Sequence, residues 1–334
     1  MDNKYISLAH GNGGRFMREL IEQVFAKKFA NGNIDVQADA VKIFPPAGEL
    51  MVSTDGFIVQ PLFFPGGNIG SLAVHGTTND LAVSGAVPLY LTLSAFIEEG
   101  MAIAELEIIV DSMANAASDI GVKIVAGDTK VLNRGEGGGV YFATSGVGVK
   151  DPRLQIGLNQ IQDGDKIVVS GSLGDHGICV MLARQQFGLS GDLKSDSASV
   201  LNLAKIAYQQ KGVRFMRDPT RGGLVSVCHE IAQATHFNVR LQQSSIPIKD
   251  EVNSVCEMLG YDPLYLACEG RIVAIVQADQ ADQLMSKWQQ ISNGQDACVV
   301  GEIEQGKGRV ILHTELGGER LLEELEDDPL PRIC

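Results

Sequence analysis

No stretch of this 334-residue chain comes near the roughly 18–20 consecutive apolar positions that a membrane-spanning helix needs. The opening Met1-Asp2-Asn3-Lys4 lacks the basic-then-apolar pattern of a secretory leader. Both absences lead to the expectation of a soluble, cytoplasmic protein. Basic residues are in deficit: 27 Lys and Arg stand against 41 Asp and Glu, a net charge of −14. Such a chain repels nucleic-acid backbones and anionic bilayers, so neither is an expected partner. A small phosphate ligand is not excluded, because Mg²⁺ bridges carboxylates to phosphates.

Cysteine is sparse as well. None of the six forms a Cys-x-x-Cys pair or a zinc spacing. Cys179, Cys228, Cys256, Cys268 and Cys298 are expected to be buried small hydrophobes. The P-loop and the Gly-x-Gly-x-x-Gly fingerprint are both missing. So is any repeat of about 20–50 residues, which argues against a solenoid or propeller. Glycine is in excess: 38 occur, where roughly 7% usage gives about 23. That excess implies turns or close backbone approach to a ligand.

Apolar periodicity divides the chain. A helix is expected after Gly13-Gly14, with Met17, Leu20, Ile21, Val24, Phe25 and Phe29 on one stripe. Strands follow over Leu50–Thr54, Leu89–Phe96, Val122–Ala126 and Val140–Val149, interleaved with helices near Ile69–Ser84 and Ala104–Ile120. Residues 151–165 read as a connection. A second unit begins with the strand Lys166–Ser170, and its further strands are Val239–Gln242, Arg271–Gln277, Ala297–Gly301 and Arg309–His313. Its helices are expected near Asp175–Phe187, Ser197–Gln210, Gly222–Thr235 and Ala281–Ile291. The domains expected are therefore 1–35, a loop and helix segment; 36–150; 151–314; and 315–334, an acidic, Pro-containing flexible tail ending in Cys334.

Four places carry candidate chemistry. His10-Gly11-Asn12-Gly13-Gly14 precedes the first helix, where converging N–H groups suit phosphate, although a plain helix cap reads equally. Asp55, Asp80 and Asp128 each sit where an apolar run ends. Together they make an oxygen-rich site for Mg²⁺, and singly each is an ordinary turn or cap residue. Asp218 and Arg221 precede Gly222-Gly223 at another helix start, again an anion site or a cap. Cys334 is either a nucleophilic carrier on a mobile arm or an accidental last residue. His176 and Cys179 share a helix spacing, but two ligands make no zinc site.

Taken together these segments resemble the HypE family of hydrogenase maturation factors, within the PurM-like (aminoimidazole ribonucleotide synthetase-like) ATP-binding superfamily. The resemblance spans nearly the whole chain. It runs through Leu8–Gly14, Ser53-Thr54-Asp55, Pro61–Gly70, Asn79–Ala86, Gly127–Val131, Gly174–Gly177, Asp218–Gly223 and Glu269-Gly270, and is most specific at Pro331-Arg332-Ile333-Cys334. It implies a two-domain α/β PurM-like fold with mixed sheets, working as a homodimer whose N-terminal sheets pair. It also implies a reaction in which a HypF-like carbamoyltransferase loads Cys334 with a carbamoyl group. ATP then dehydrates that S-carboxamide to a thiocyanate, and the cyano group passes to iron on a HypC–HypD complex. ATP and Mg²⁺ would be held by His10, Gly11, Gly13, Gly14, Asp55, Asn79, Asp80, Asp128, Asp218 and Arg221, with Asp55, Asp80 and Asp128 on the metal. Glu269 and Lys130 are the candidates for moving protons or polarising the amide. A superfamily relative acting on a free small molecule, or a non-catalytic carrier, are the competing readings; removal of Cys334 separates the first, and ATP turnover the second.

Overall fold

The computed structural model describes residues 4–29, 38, 40–184, 188–189 and 191–326. The chain forms two compact units, the first within residues 1–81 and 86–150 and the second from residues 82–85 and 151 onward.

In the first unit, helix α1 (Arg15–Leu20) is followed by β1 (Leu50–Phe57), the small hairpin β2 (Phe63–Phe64) and β3 (Gly67–Asn68), helix α2 (Ile69–Val83) and β4 (Ala86–Glu98). Helix α3 (Ile103–Ile120), β5 (Lys123–Leu132) and β6 (Val140–Lys150) complete it. The long strands build one sheet in the order β1-β6-β4-β5, with β4 and β5 parallel and the other pairs antiparallel. Helix α3 carries the expected stripe: Leu106, Ile109, Val110, Met113 and Ala117 are buried. Strand alternation gives the sheet two unlike faces. Ser53, Asp55 and Phe57 turn toward α2, whereas Leu50, Val52 and Thr54 are exposed. Val52 is 71% exposed and Phe96, across the sheet on β4, 36%. That open face is broad and partly apolar.

The second unit contains β7 (Lys166–Val169), α4 (Asp175–Ala183), α5 (Leu201–Tyr208), β8 (Val213–Arg217), α6 (Gly223–Thr235), β9 (Asn238–Gln242) and α7 (Asp250–Leu259). After these come β10 (Val273–Val276), α8 (Ala278–Trp288), β11 (Cys298–Glu304), β12 (Val310–His313) and β13 (Glu319–Leu321). Its sheet runs β13-β12-β9-β11-β7-β10-β8. Every residue of β10 is buried, as a central strand covered on both faces requires. The lone tryptophan, Trp288, is fully buried and donates its indole N–H to the Leu203 carbonyl at 2.9 Å.

Three expectations change. The single helix after Gly14 is α-helical only to Leu20 and then widens to a π-helix over Ile21–Ala26. The helix expected over Ser197–Gln210 starts only at Leu201, and residues 191–200 are irregular. Within the segment expected to be a flexible tail, 315–334, the described residues 319–324 are held. β13 pairs with β12, and Leu322 is 3% exposed. His229 Nε2 lies 3.0 Å from the Leu322 carbonyl, the Tyr265 hydroxyl donates to Glu323 O at 2.8 Å, and Gln233 donates to Glu324 at 2.9 Å. Residues 327–334, with Cys334, lie outside the described residues, as does most of the stretch 30–39.

Candidate active site

The first-unit candidates come from β1, α2 and β5. Ser53 and Asp55 are two apart on β1 and so point to the same side, toward α2. The Ser53 hydroxyl donates to Asp80 Oδ2 at 2.6 Å, tying strand to helix. Asp55 Oδ1 accepts the Gly56 N–H at 2.8 Å, while its Oδ2 lies 3.6 Å from where a Cβ at Gly76 would stand. Gly76 is one helical turn before Asp80, so the two carboxylates face the same strip of α2. Asn79, beside Asp80, is 2% exposed. Ser53 escaped the sequence reading as a site residue, although its two-residue spacing from Asp55 on an alternating strand was the available signal.

Asp128 and Lys130 stand elsewhere. They pair across the sheet with Ser94 and Phe96, and so lie on the open face. Asp128 Oδ1 accepts the Thr129 N–H at 2.9 Å, and Oδ2 meets Lys130 Nζ at 2.8 Å, with both side chains more than half exposed. Beside them a cavity of about 190 Å³ opens between Phe25 and Phe29 on one wall and Ala126, Gly127 and Asp128 on the other.

Register shows what one copy does not bring together. Asp55 pairs with Thr144, Thr144 with Leu93, and Leu93 with Gly127. Asp55 is thus on one edge strand and Asp128 on the other, about 14 Å apart at ~4.8 Å per strand, and on opposite faces. The shared crevice expected of Asp55, Asp80 and Asp128 does not exist within a single copy. Among the described residues no group of three His, Cys, Asp or Glu could hold a metal ion.

The loop before α1 also differs from an open phosphate cradle. Leu8–Gly11 is a 3-10 turn, and His10 is fully buried with Nδ1 accepting the Ser7 N–H at 3.0 Å. Its Nε2 is buried with no hydrogen-bond partner among the described residues, and its ring packs 5.6 Å from Phe16. Gly13 and Gly14 are exposed, and Gly11 is partly so.

In the second unit Asp218 and Glu269 are buried, 9% and 4% exposed, and Arg221 is exposed. The Cys268 N–H donates to the Pro219 carbonyl at 3.0 Å, which joins the loop of Asp218 to that of Glu269. At Gly223 (φ +59°), where α6 begins, a Cβ would stand 2.6 Å from the carbonyl oxygens of Leu264 and Leu266. Only glycine permits that approach. Missed by sequence reading were Asp175, 0% exposed, and the charges around it: Lys249 Nζ at 2.6 Å and Arg271 Nη2 at 3.5 Å. Arg271, a lone cation before the apolar run of β10, was the signal. Of the five cysteines expected to be buried, all free, four are buried, whereas Cys298 is only partly so. Burial pushes the thiols of Cys179 and Cys298 up to about 11.

Comparison with known proteins adds a lineage to this geometry. Residues 37–150 match the N-terminal domain of AIR synthase related proteins, and residues 162–313 the C-terminal domain. The chain is 41% identical to the carbamoyl dehydratase HypE of Escherichia coli, covering 98% of this chain and 99% of that one. It is 43% identical to HypE of Bradyrhizobium diazoefficiens, over 99% and 97%. Among solved structures, a hydrogenase maturation protein HypE in complex with ATP superposes with a TM-score of 0.93 at 38% identity, covering 98% of this chain and 99% of that one. HypE from a HypE–HypF complex superposes at 0.80 with 39% identity, over 92% and 99%. Two AIR synthase related domains in this order, together with full-length relatives above 40% identity, place the chain in the HypE family of carbamoyl dehydratases.

Proposed function

We propose that this protein dehydrates a carboxamide carried on its own Cys334, as the last step in making a cyanide ligand for a hydrogenase iron centre. The balanced step converts Cys334–S–C(O)NH₂ and ATP to Cys334–S–C≡N, ADP and phosphate. The amide oxygen leaves as phosphate, and both N–H protons are removed. A HypF-like carbamoyltransferase loads the thiol, and a HypC–HypD complex takes the product. The observation that carries this reading is the full-length likeness to a HypE solved with ATP.

The residues support it in detail. Asp55, and Asp80 held by Ser53, would give the paired oxygen donors that Mg²⁺ prefers, since that ion keeps waters and substrate phosphates in its remaining positions. When bound, Mg²⁺ neutralises phosphate charge. The apolar cavity beside Asp128 takes the base of the nucleotide, while Gly13 and Gly14 stay open toward its phosphates. Lys130, held by Asp128, is the candidate to polarise the amide. Glu269, buried near Asp218, is the candidate to accept the amide protons.

The division of the acids favours a homodimer. Two copies joined through their open sheet faces cover Leu50, Val52 and Phe96. Such closure brings the β1 edge of one sheet to the β5 edge of its partner. The β1 strand that carries Asp55 in one copy then runs beside the β5 strand that carries Asp128 and Lys130 in the other.

The test is the mass of the C-terminal peptide from protein carbamoylated at Cys334, before and after Mg-ATP. The expected result is loss of one water per ADP formed, and no such change in Cys334→Ala. ATP turnover with the peptide mass unchanged would overturn the reading.

A further inference from the structure

Glu269 is fastened from two sides. On one, Cys268 is tied to Pro219 as described. On the other lies the irregular segment before α5. There the Asp196 side chain, with no exposed surface, accepts the Glu269 N–H on Oδ1 and the Gly270 N–H on Oδ2, each at 3.3 Å. The two chains touch so closely that a Cβ on Gly270 would stand 1.9 Å from the Asp196 carbonyl oxygen and 3.0 Å from the Ala198 nitrogen. Glycine at 270 is therefore what admits the clamp.

The carboxylate is itself held. Arg271 Nε is 3.5 Å from Asp196 Oδ2. The guanidinium in turn donates to Ser172 O at 3.0 Å, Ser172 Oγ at 3.1 Å and Asn293 O at 2.9 Å, and its Nη2 faces Asp175. A planar fork fixed at this many points has no freedom to follow a moving partner. Burial pushes the Asp196 carboxyl up from its ordinary range, and Arg271 and the two peptide N–H groups oppose that shift. Burying a carboxylate is costly, and a neutral side chain closes a loop with less penalty. What the charge adds is a strong, directional hold on two successive peptide N–H groups, one of them Glu269's own.

We propose that Asp196 is a positioning residue for Glu269, its carboxylate, locked by Arg271, fixing the peptide from which the Glu269 carboxyl meets the carboxamide. The proposal rests on Glu269 being the group that takes the amide protons. Asp196 touches neither substrate nor nucleotide in this assignment; it acts through the backbone of Glu269. A displacement of about 1 Å in a proton acceptor is enough to cost on the order of 100-fold in rate.

The experiment is a double-mutant cycle in the full-length carbamoylated protein, reading the single-turnover rate of water loss at Cys334 and the ATP concentration for half-saturation. Asp196→Ala is expected to slow dehydration about 10- to 100-fold with ATP half-saturation within about twofold of wild type. Asp196→Asn, which keeps an acceptor oxygen, should recover part of the rate. It carries the same cycle if the alanine variant does not fold. In a Glu269→Gln background, removing Asp196 should slow the residual rate by less than about twofold, because nothing remains to be positioned. An equal slowing in both backgrounds, or a rise in half-saturating ATP with the rate unchanged, overturns the proposal. Full activity in Glu269→Gln removes the reading of Glu269 itself. A slow Glu269→Gln beside an unaffected Asp196→Ala removes only the role of Asp196.

Discussion

His75 makes the stability of the first unit depend on pH. It sits on α2 one turn before Asn79, and burial pushes its imidazole down to about 4, against Asp119, which raises it. An unfolded histidine titrates near 6.5. Between these values the unfolded chain binds a proton that the folded chain refuses, so stability rises with pH across that window and falls as the solution is acidified. The full difference, about 2.5 pH units, is worth about 3 kcal/mol, and the part lost between pH 7 and pH 5 is about 2 kcal/mol. With a urea m-value of about 2 kcal/mol/M, the midpoint of the first unit should drop by about 1 M. Far-UV circular dichroism follows that transition, and the fluorescence of Trp288 reports the second unit separately. In His75→Gln the drop should nearly vanish while the Trp288 midpoint keeps its own pH dependence. Glu98 does not confuse the comparison, because the Gly135 and Gly139 N–H groups hold its carboxyl below its usual range and its effect falls at lower pH. A full 1 M drop in His75→Gln, or no drop in the wild-type protein, would refute the burial argument.

Two further outcomes follow from the geometry. Asp55→Asn and Asp128→Asn should each abolish ATP-dependent dehydration, yet mixing the two variants and letting subunits exchange should restore about a quarter of wild-type activity. Half of the dimers would be hybrids with one intact site each; no recovery in hybrids confirmed by native mass spectrometry would mean the two edges do not cooperate. Tyr265→Phe removes the hydroxyl that holds Glu323 O, a loss of about 1 kcal/mol. Limited proteolysis between residues 314 and 326 should quicken in it several-fold, with Trp288 fluorescence unchanged.

Much of the architecture was legible because burial leaves a periodic trace. α3 and β6 lie almost where their apolar spacing put them, since each buries one stripe or one alternating face. Elements with a weak trace escaped. α7 buries only Val252, Val255 and Cys256 among ten residues otherwise rich in polar side chains. β8 mixes arginines into a five-residue strand. β13 is exposed at all three positions and exists through pairing with β12, which no local pattern announces. The site divides in the same way. Asp55, Asp80 and Asp128 each stood out by their neighbours, but the order β1-β6-β4-β5 that parts them is a property of pairing, not of spacing. His10 beside glycines read as open to a ligand, whereas a 3-10 turn folds its ring inward. Asp196 gave no signal at all, lying in a stretch without periodicity and meeting its partners more than 70 positions away.

The mooring of Leu322 and Glu324 to α6, and of Glu323 to Tyr265, sets a radius of action. A methyl of Leu325 comes within 3.5 Å of the Cβ position of Gly222, so the last described turn of chain arrives beside Arg221. From Glu326 only eight residues remain to Cys334, a leash of at most about 26–29 Å when fully drawn out. On the proposed reaction, an enzyme that loads this sulfur must bring its own reacting atom inside that sphere.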